Sequence, residues 1–189
     1  MTTNTTPATL TGTYRIDPAH SRIGFVARHA MVTKVRGSFK EFTGTGTFDV
    51  EGPSRSSLQL TIEVGSIDTA NPDRDGHLRS NDFLDLEHYP QITFTSTAVT
   101  QAGPDTYRVT GDLAIKGVTR PVTFDLVYSG SAVDPYGNQR VGFEGSTTIN
   151  RKDWGVNWNA ALEAGGVLVS EKVTLEFDIS AIKDAATAA

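Results

Sequence analysis

The residues best suited to chemistry fall in three short stretches. Asp73, Asp75 and His77 make a D-x-D-x-H run, with Arg79 two residues on and His88 further along. Carboxylates and imidazoles gathered this way can ligate a metal or move protons. The spacing matches no metal-ligand signature, and it equally suits a turn in which Asp side chains cap backbone N–H groups. Asp17-Pro18-Ala19-His20-Ser21 holds the residue types of a hydrolytic triad. Three residues so close in sequence cannot place nucleophile, base and orienter in line, and no G-x-S-x-G elbow occurs. A tight turn with φ set by Pro18 is the simpler reading. Asn150-Arg151-Lys152-Asp153-Trp154-Gly155 offers a basic pair that could meet an anionic head group or sit on a solvated rim. Trp154 and Trp158 could cap a cavity mouth or pack beneath a loop. The G-x-G at Gly44 and Gly46 lies inside a strand pattern, so it is no phosphate loop. The chain has no Cys, which removes thiol catalysis, thiolate metal sites and disulfides. No catalytic centre, metal or cofactor is expected.

The elements that would position these groups alternate with period 2 nearly throughout. Leu58, Leu60, Ile62 and Val64 alternate with Gln59, Thr61 and Glu63; Val122, Phe124, Leu126 and Tyr128 oppose Thr123 and Asp125; Val173, Leu175, Phe177 and Ile179 oppose Thr174, Glu176 and Asp178. Further runs begin at Ile23, Ile92, Val109 and Val141. A first strand fits Thr13–Asp17 and a long one fits Phe39–Glu51. In the run from Ile92, Phe94 and Ala98 are read as sharing its apolar face. Turn signals such as Gly52-Pro53, Gly103-Pro104 and Asp134-Pro135-Tyr136-Gly137-Asn138 separate the runs, so the connections are antiparallel hairpins.

Asn71–Pro90 alone lacks alternation. Ser80 and Asp82 stand as helix starts ahead of Phe83, Leu84 and Leu86, and one or two helical turns are expected over residues 73–89. So short an insertion cannot cover a sheet. The apolar faces of about eight strands must therefore cover each other, and hairpin connectivity favours an eight-stranded antiparallel up-and-down barrel. Such a barrel is either just filled by side chains or hollow enough for one small ligand. Gly44, Gly46, Gly111 and Gly145 fall on inward faces, where they leave room for a ligand or mark bends in a filled core.

The chain has 189 residues and a formal net charge of -5, so one domain is expected. The barrel is assigned to residues 12–182, with disordered tails at 1–11 and 183–189. The acidic balance argues against nucleic acid or an anionic membrane surface as the main partner. No run of 18 apolar residues occurs, so no integral membrane segment is expected. The Thr-rich start lacks the apolar core of a signal peptide, which points to the cytoplasm unless a leader has been removed. Long strands leave edge and loop surface compatible with a homodimer.

Several separated motifs together resemble the YceI-like family, the lipocalin-like polyisoprenoid-binding proteins. They begin at Tyr14-Arg15-Ile16-Asp17-Pro18-Ala19-His20-Ser21 and Val35-Arg36-Gly37-Ser38-Phe39, and continue through Ser66-Ile67-Asp68-Thr69 and Arg74-Asp75-Gly76-His77-Leu78-Arg79-Ser80. Tyr89-Pro90-Gln91-Ile92-Thr93-Phe94, Gly111-Asp112-Leu113-Ala114-Ile115-Lys116-Gly117 and Thr148-Ile149-Asn150-Arg151-Lys152-Asp153-Trp154-Gly155 complete the match. The resemblance implies an eight-stranded lipocalin-like barrel with a helical insertion and an apolar tunnel. It implies a polyisoprenoid or similar long-chain amphiphile as ligand, for storage, transport or sensing, and no enzyme reaction. Alternatives are an enzyme using Asp73, Asp75, His77 and Arg79, and a filled-barrel stress protein. Position and alternation nominate Phe25, Phe42, Ile62, Phe94, Leu113, Phe124, Leu126, Phe143 and Leu175 as tunnel lining. Phe83 and Leu84 are nominated to close one end, and His77, Arg79 and Arg151 to meet a head group.

Overall fold

The structure is a computed structural model and describes residues 10–185. Eleven strand segments form one antiparallel sheet. They are β1 (Gly12–Ile16), β2 (Arg22–His29), β3 (Thr33–Phe39), β4 (Phe42–Phe48), β5 (Ser57–Glu63), β6 (Ile67–Asp68), β7 (Gln91–Gln101), β8 (Thr106–Ile115), β9 (Val118–Val133), β10 (Gln139–Asn150) and β11 (Lys172–Lys183). β1 and β2, β3 and β4, and β5 and β6 each make one interrupted stave, which with β7–β11 gives eight. β11 pairs with β10 on one side and with both β1 and β2 on the other, so the sheet closes on itself. Every pairing is antiparallel, and apart from the closing pairs of β11 with β1 and β2 each joins consecutive staves, the arrangement that hairpin-length connections dictate. Turns 49–56, 102–105 and 134–138 lie at the lower end. The upper end carries the β2–β3 turn, residues 64–90, the β8–β9 turn and residues 151–171.

Two strand assignments need correction. The strand expected over Phe39–Glu51 is shorter: β3 ends at Phe39, the chain bends at Lys40-Glu41, β4 covers Phe42–Phe48, and residues 49–51 belong to the following turn. The bend is held across the neighbouring stave, where Lys40 N–H donates to Ser66 O and Glu63 N–H donates to Glu41 O. β3 itself escapes the alternation because its inward position at Gly37 has no side chain; the Phe25 ring lies over it. In β7, a bulge between Ser96 and Ala98 shifts the register against β8. One extra residue exchanges the two faces. Val99 is therefore buried and Ala98 exposed, the reverse of simple counting from Phe94.

The insertion also differs in detail. Helix α1 (Pro72–Arg79) starts earlier than expected, with the Asn71 side chain accepting from Arg74 N–H and Pro72 in its first turn. This cap and proline outrank Ser80 and Asp82 as start signals. Ser80 instead ends the helix, its N–H donating to His77 O. Of the expected tails, Met1–Ala8, Thr9 and residues 186–189 lie outside the described residues. Leu10 is buried and accepts a 2.7 Å hydrogen bond from Tyr14 Oη, β11 continues to Lys183, and Asp184 N–H donates to Thr13 O. Among the described residues no helix is long and apolar enough to cross a membrane.

Candidate functional site

Inside the barrel is a cavity of about 190 Å³. That is roughly ten times the ~15 Å³ a single water needs, so side chains do not fill the interior. Every stave contributes to the wall. No Asp, Glu, Lys, Arg or His lines it, and its few polar residues are Ser, Thr and Tyr. Phe143, Leu175, Phe177 and Ile179 point inward and pack on the core yet are only half-buried, because part of their surface borders open space. Such a site excludes an ionic ligand group from its middle and favours a chain of CH₂ and CH₃ groups.

Aromatic side chains cluster toward the lower end. Phe48 meets Tyr107 edge-on at 5.2 Å and Phe143 at 5.3 Å, and Tyr128 lies 5.7 Å from Phe143. Edge-to-face pairs of this kind are the favoured aromatic geometry. Burial, helped by the nearby Tyr128, pushes the Tyr14 phenol up to about 12, and burial likewise raises Tyr107. Both stay neutral donors across the physiological range. Beneath this cluster Arg140 joins Asp17 at 2.7 Å and Asp134 at 2.8 Å, tying the turn after β1 to the β9–β10 turn. Its guanidinium holds both carboxyls below their usual range.

The nominated residues separate into two groups. Ile62, Phe94, Leu113 and Phe124 line the cavity, as do Leu126, Phe143 and Leu175. Phe42 is buried in the adjoining core, and Phe25 is half-buried with its ring 5.8 Å from Phe39, outside the cavity wall. Leu84 packs against the barrel core. Phe83 is buried in a separate cluster above it, 5.0 Å from the His77 ring and 5.3 Å from Trp158. The wall also contains Ile23, Leu60, Ile92, Val109, Phe177 and Ile179. Alternation marks these as inward; nominating only one or two residues from each strand passes over them, and on β11 it takes Leu175 ahead of the larger Phe177. Val99 could not be found by alternation, since the bulge displaces it.

The polar clusters are occupied by local structure. The Asp75 carboxyl is buried and accepts from Thr69 N–H at 2.9 Å and Thr69 Oγ1 at 2.5 Å. Arg74 donates to Thr69 Oγ1 and Thr69 O. Arg79 donates to Gly65 O and Ile67 O, and His77 Nε2 lies 2.8 Å from Asp82 Oδ2. Arg151 is buried and donates to Ser170 O, Val156 O and Val169 O, which folds residues 151–171 over the upper end. Burial lowers its pKa, opposed by nearby Glu171. Trp154 Nε1 donates to Leu113 O at 2.9 Å, so this tryptophan packs onto the barrel end. Asp17 accepts from Ala19 N–H and the His20 ring in a capped turn. Among the described residues no three His, Asp or Glu side chains gather as a metal site. The inward glycines are also accounted for. A Cβ at Gly111 would overlap the Phe94 ring, and one at Gly44 would overlap Ile16 Cδ1. At these two positions the space admits a neighbouring side chain, whereas Gly46 lies in the cavity wall.

The profile of the YceI-like domain matches residues 14–181. A UPF0312 protein of Staphylococcus epidermidis is 41% identical over 164 residues, covering 86% of this chain and 93% of the relative. Protein YceI of Escherichia coli is 43% identical over 145 residues, covering 76% of this chain and 75% of its own. Among solved structures, BcnA of Burkholderia cenocepacia superposes with a TM-score of 0.78 at 28% identity, over 87% of this chain and 98% of its own. A polyisoprenoid binding domain from Saccharophagus degradans shares the fold, with a TM-score of 0.68 at 16% identity over 90% of this chain. With its profile matched across nearly the whole barrel, the chain belongs to the YceI-like family.

Proposed function

We propose that this protein binds the tail of a polyisoprenoid or similar long-chain amphiphile within the barrel, as a carrier, store or sensor and not as an enzyme. The observation that carries the reading is the apolar cavity, walled by all eight staves with no Asp, Glu, Lys, Arg or His in its lining. The polyisoprenoid-binding description of the Saccharophagus degradans domain supports the ligand class. Each buried CH₂ contributes roughly 0.8 kcal/mol. Association and ordering of a flexible ligand cost about 4–15 kcal/mol. Several isoprene units must therefore enter before binding is favourable, which selects long tails over short ones. The proposed contacts are the wall residues, led by Phe94, Leu113, Phe124, Leu126, Phe143 and Leu175. The 73–79 cluster favours no enzymatic reading, because Asp75, His77 and Arg79 each have a partner in their own segment.

Native mass spectrometry after incubation with long-chain prenols tests the proposal. A one-to-one adduct that grows tighter with chain length is expected. A clean apo mass with every prenol added overturns it.

A further inference from the structure

We infer that the β2–β3 hairpin tip docks the protein on an anionic phospholipid surface. Met31 and Val32 stand adjacent at the tip and are 55% and 74% exposed. Ala30 and Met31 have φ of 50° and 61°. That left-handed pair is normally filled by Asn-Gly, so the tip keeps apolar side chains where a polar turn would cost less. Beside it lies the loop at residues 160–168, whose only charged side chain is Glu163. The two loops touch: a Cβ on Gly166 would sit 3.7 Å from Met31 Cγ. Together they form an apolar apron.

The hairpin below the tip is basic. Arg28 lies directly opposite Lys34, and Arg36 follows on the same outward face. All three are exposed. Like charges placed directly across strands are destabilising. None of the three has an acidic partner among the described residues; Arg28 donates to Val32 O instead. In a chain of net charge -5 the concentration is local. The global acidity sets the opposite expectation, but only charges within about a Debye length act on a surface. Apolar tips flanked by Lys and Arg suit the boundary between head groups and acyl chains, where anionic lipids attract the cations. A two-fold contact between copies through this patch would set the three cations against their own duplicates. A nucleic acid would satisfy the cations and leave Met31 and Val32 against water or phosphate.

Vesicle flotation tests this without any ligand in the cavity. The protein should float with mixed phosphatidylglycerol and phosphatidylcholine vesicles, less so as salt rises, and stay behind with phosphatidylcholine alone. Lys34→Gln with Arg36→Gln should weaken binding on the order of 30-fold. Val32→Asp should abolish it, and neither variant should melt below the wild-type protein, because these side chains are exposed and losing Lys34 relieves its repulsion with Arg28. Wild-type protein that ignores anionic vesicles at low salt overturns the inference. So do variants that float like wild type, or variants that change only a monomer–dimer equilibrium in sedimentation. Retained prenol uptake in a protein that ignores vesicles would break this inference and leave the cavity proposal standing.

Discussion

Residues 64–90 and the barrel interior allot their side chains in opposite ways. The segment holds Arg74, Asp75, His77 and Arg79, the residue types from which catalytic sites are made, and each has a partner within the segment. The interior holds no Asp, Glu, Lys, Arg or His in its wall, and its apolar groups border unfilled space. A polar group whose hydrogen bonds are all met by its own loop serves the loop. Apolar surface left without protein contacts has dispersion and burial still to gain from a ligand. In the proposed reading, function follows vacancy more than reactivity.

Substitutions should separate the two regions. The largest losses of stability are expected where buried polar groups hold the upper end. Arg151→Met leaves three carbonyls without their donor and should cost about 3 kcal/mol, and Asp75→Ala about 2–3 kcal/mol. Urea unfolding measures both, and protein still folded should bind prenol with unchanged affinity. Leu175→Trp reverses the pattern. The added ring enters existing space, so stability should change by less than about 1.5 kcal/mol, while the prenol adduct disappears from native spectra. A wall variant that unfolds without losing affinity, or an Asp75 variant that loses affinity at full stability, would break the comparison.

The pH dependence sharpens it further. Asp17 and Asp134 have depressed pKa values because Arg140 binds both. Their contribution is fully present above the unfolded carboxylate value of 3.8 and is lost as pH falls through the folded values. Arg140→Gln should flatten the acid limb of a melting-temperature profile below about pH 4, with prenol binding at neutral pH unaltered. In the insertion, Asp85 raises the pKa of His88 above 6.5. That contribution is present below 6.5 and fades as pH rises through the folded value. His88→Gln should remove a small decline in melting temperature near neutrality, the smallest effect of the set because the ring is exposed.

Much of this molecule is legible in its alternation. Val122, Phe124 and Leu126 face inward because strand side chains alternate and one face must leave water. β3 is harder to read because Gly37 yields its inward place to Phe25 from the next strand. Val99 is harder still, since a bulge between Ser96 and Ala98 leaves no mark in the pattern of apolar residues. Arg151 shows the limit for polar groups. Its neighbours Lys152 and Asp153 are exposed, whereas its own guanidinium is drawn under the loop by carbonyls 5 to 19 residues away.

By itself the sequence determined that apolar faces must close on one another, because period-2 patterning leaves each strand a face that water disfavours and no helix long enough to cover it. Whether the closed sheet would be solid or hollow was decided only in three dimensions. Strand spacing and barrel radius follow from pairing and register, and whether side chains span that radius depends on partners far apart in the chain. Gly111 looks like empty space in the sequence and is filled by Phe94; Phe177 looks like plain core and borders the cavity.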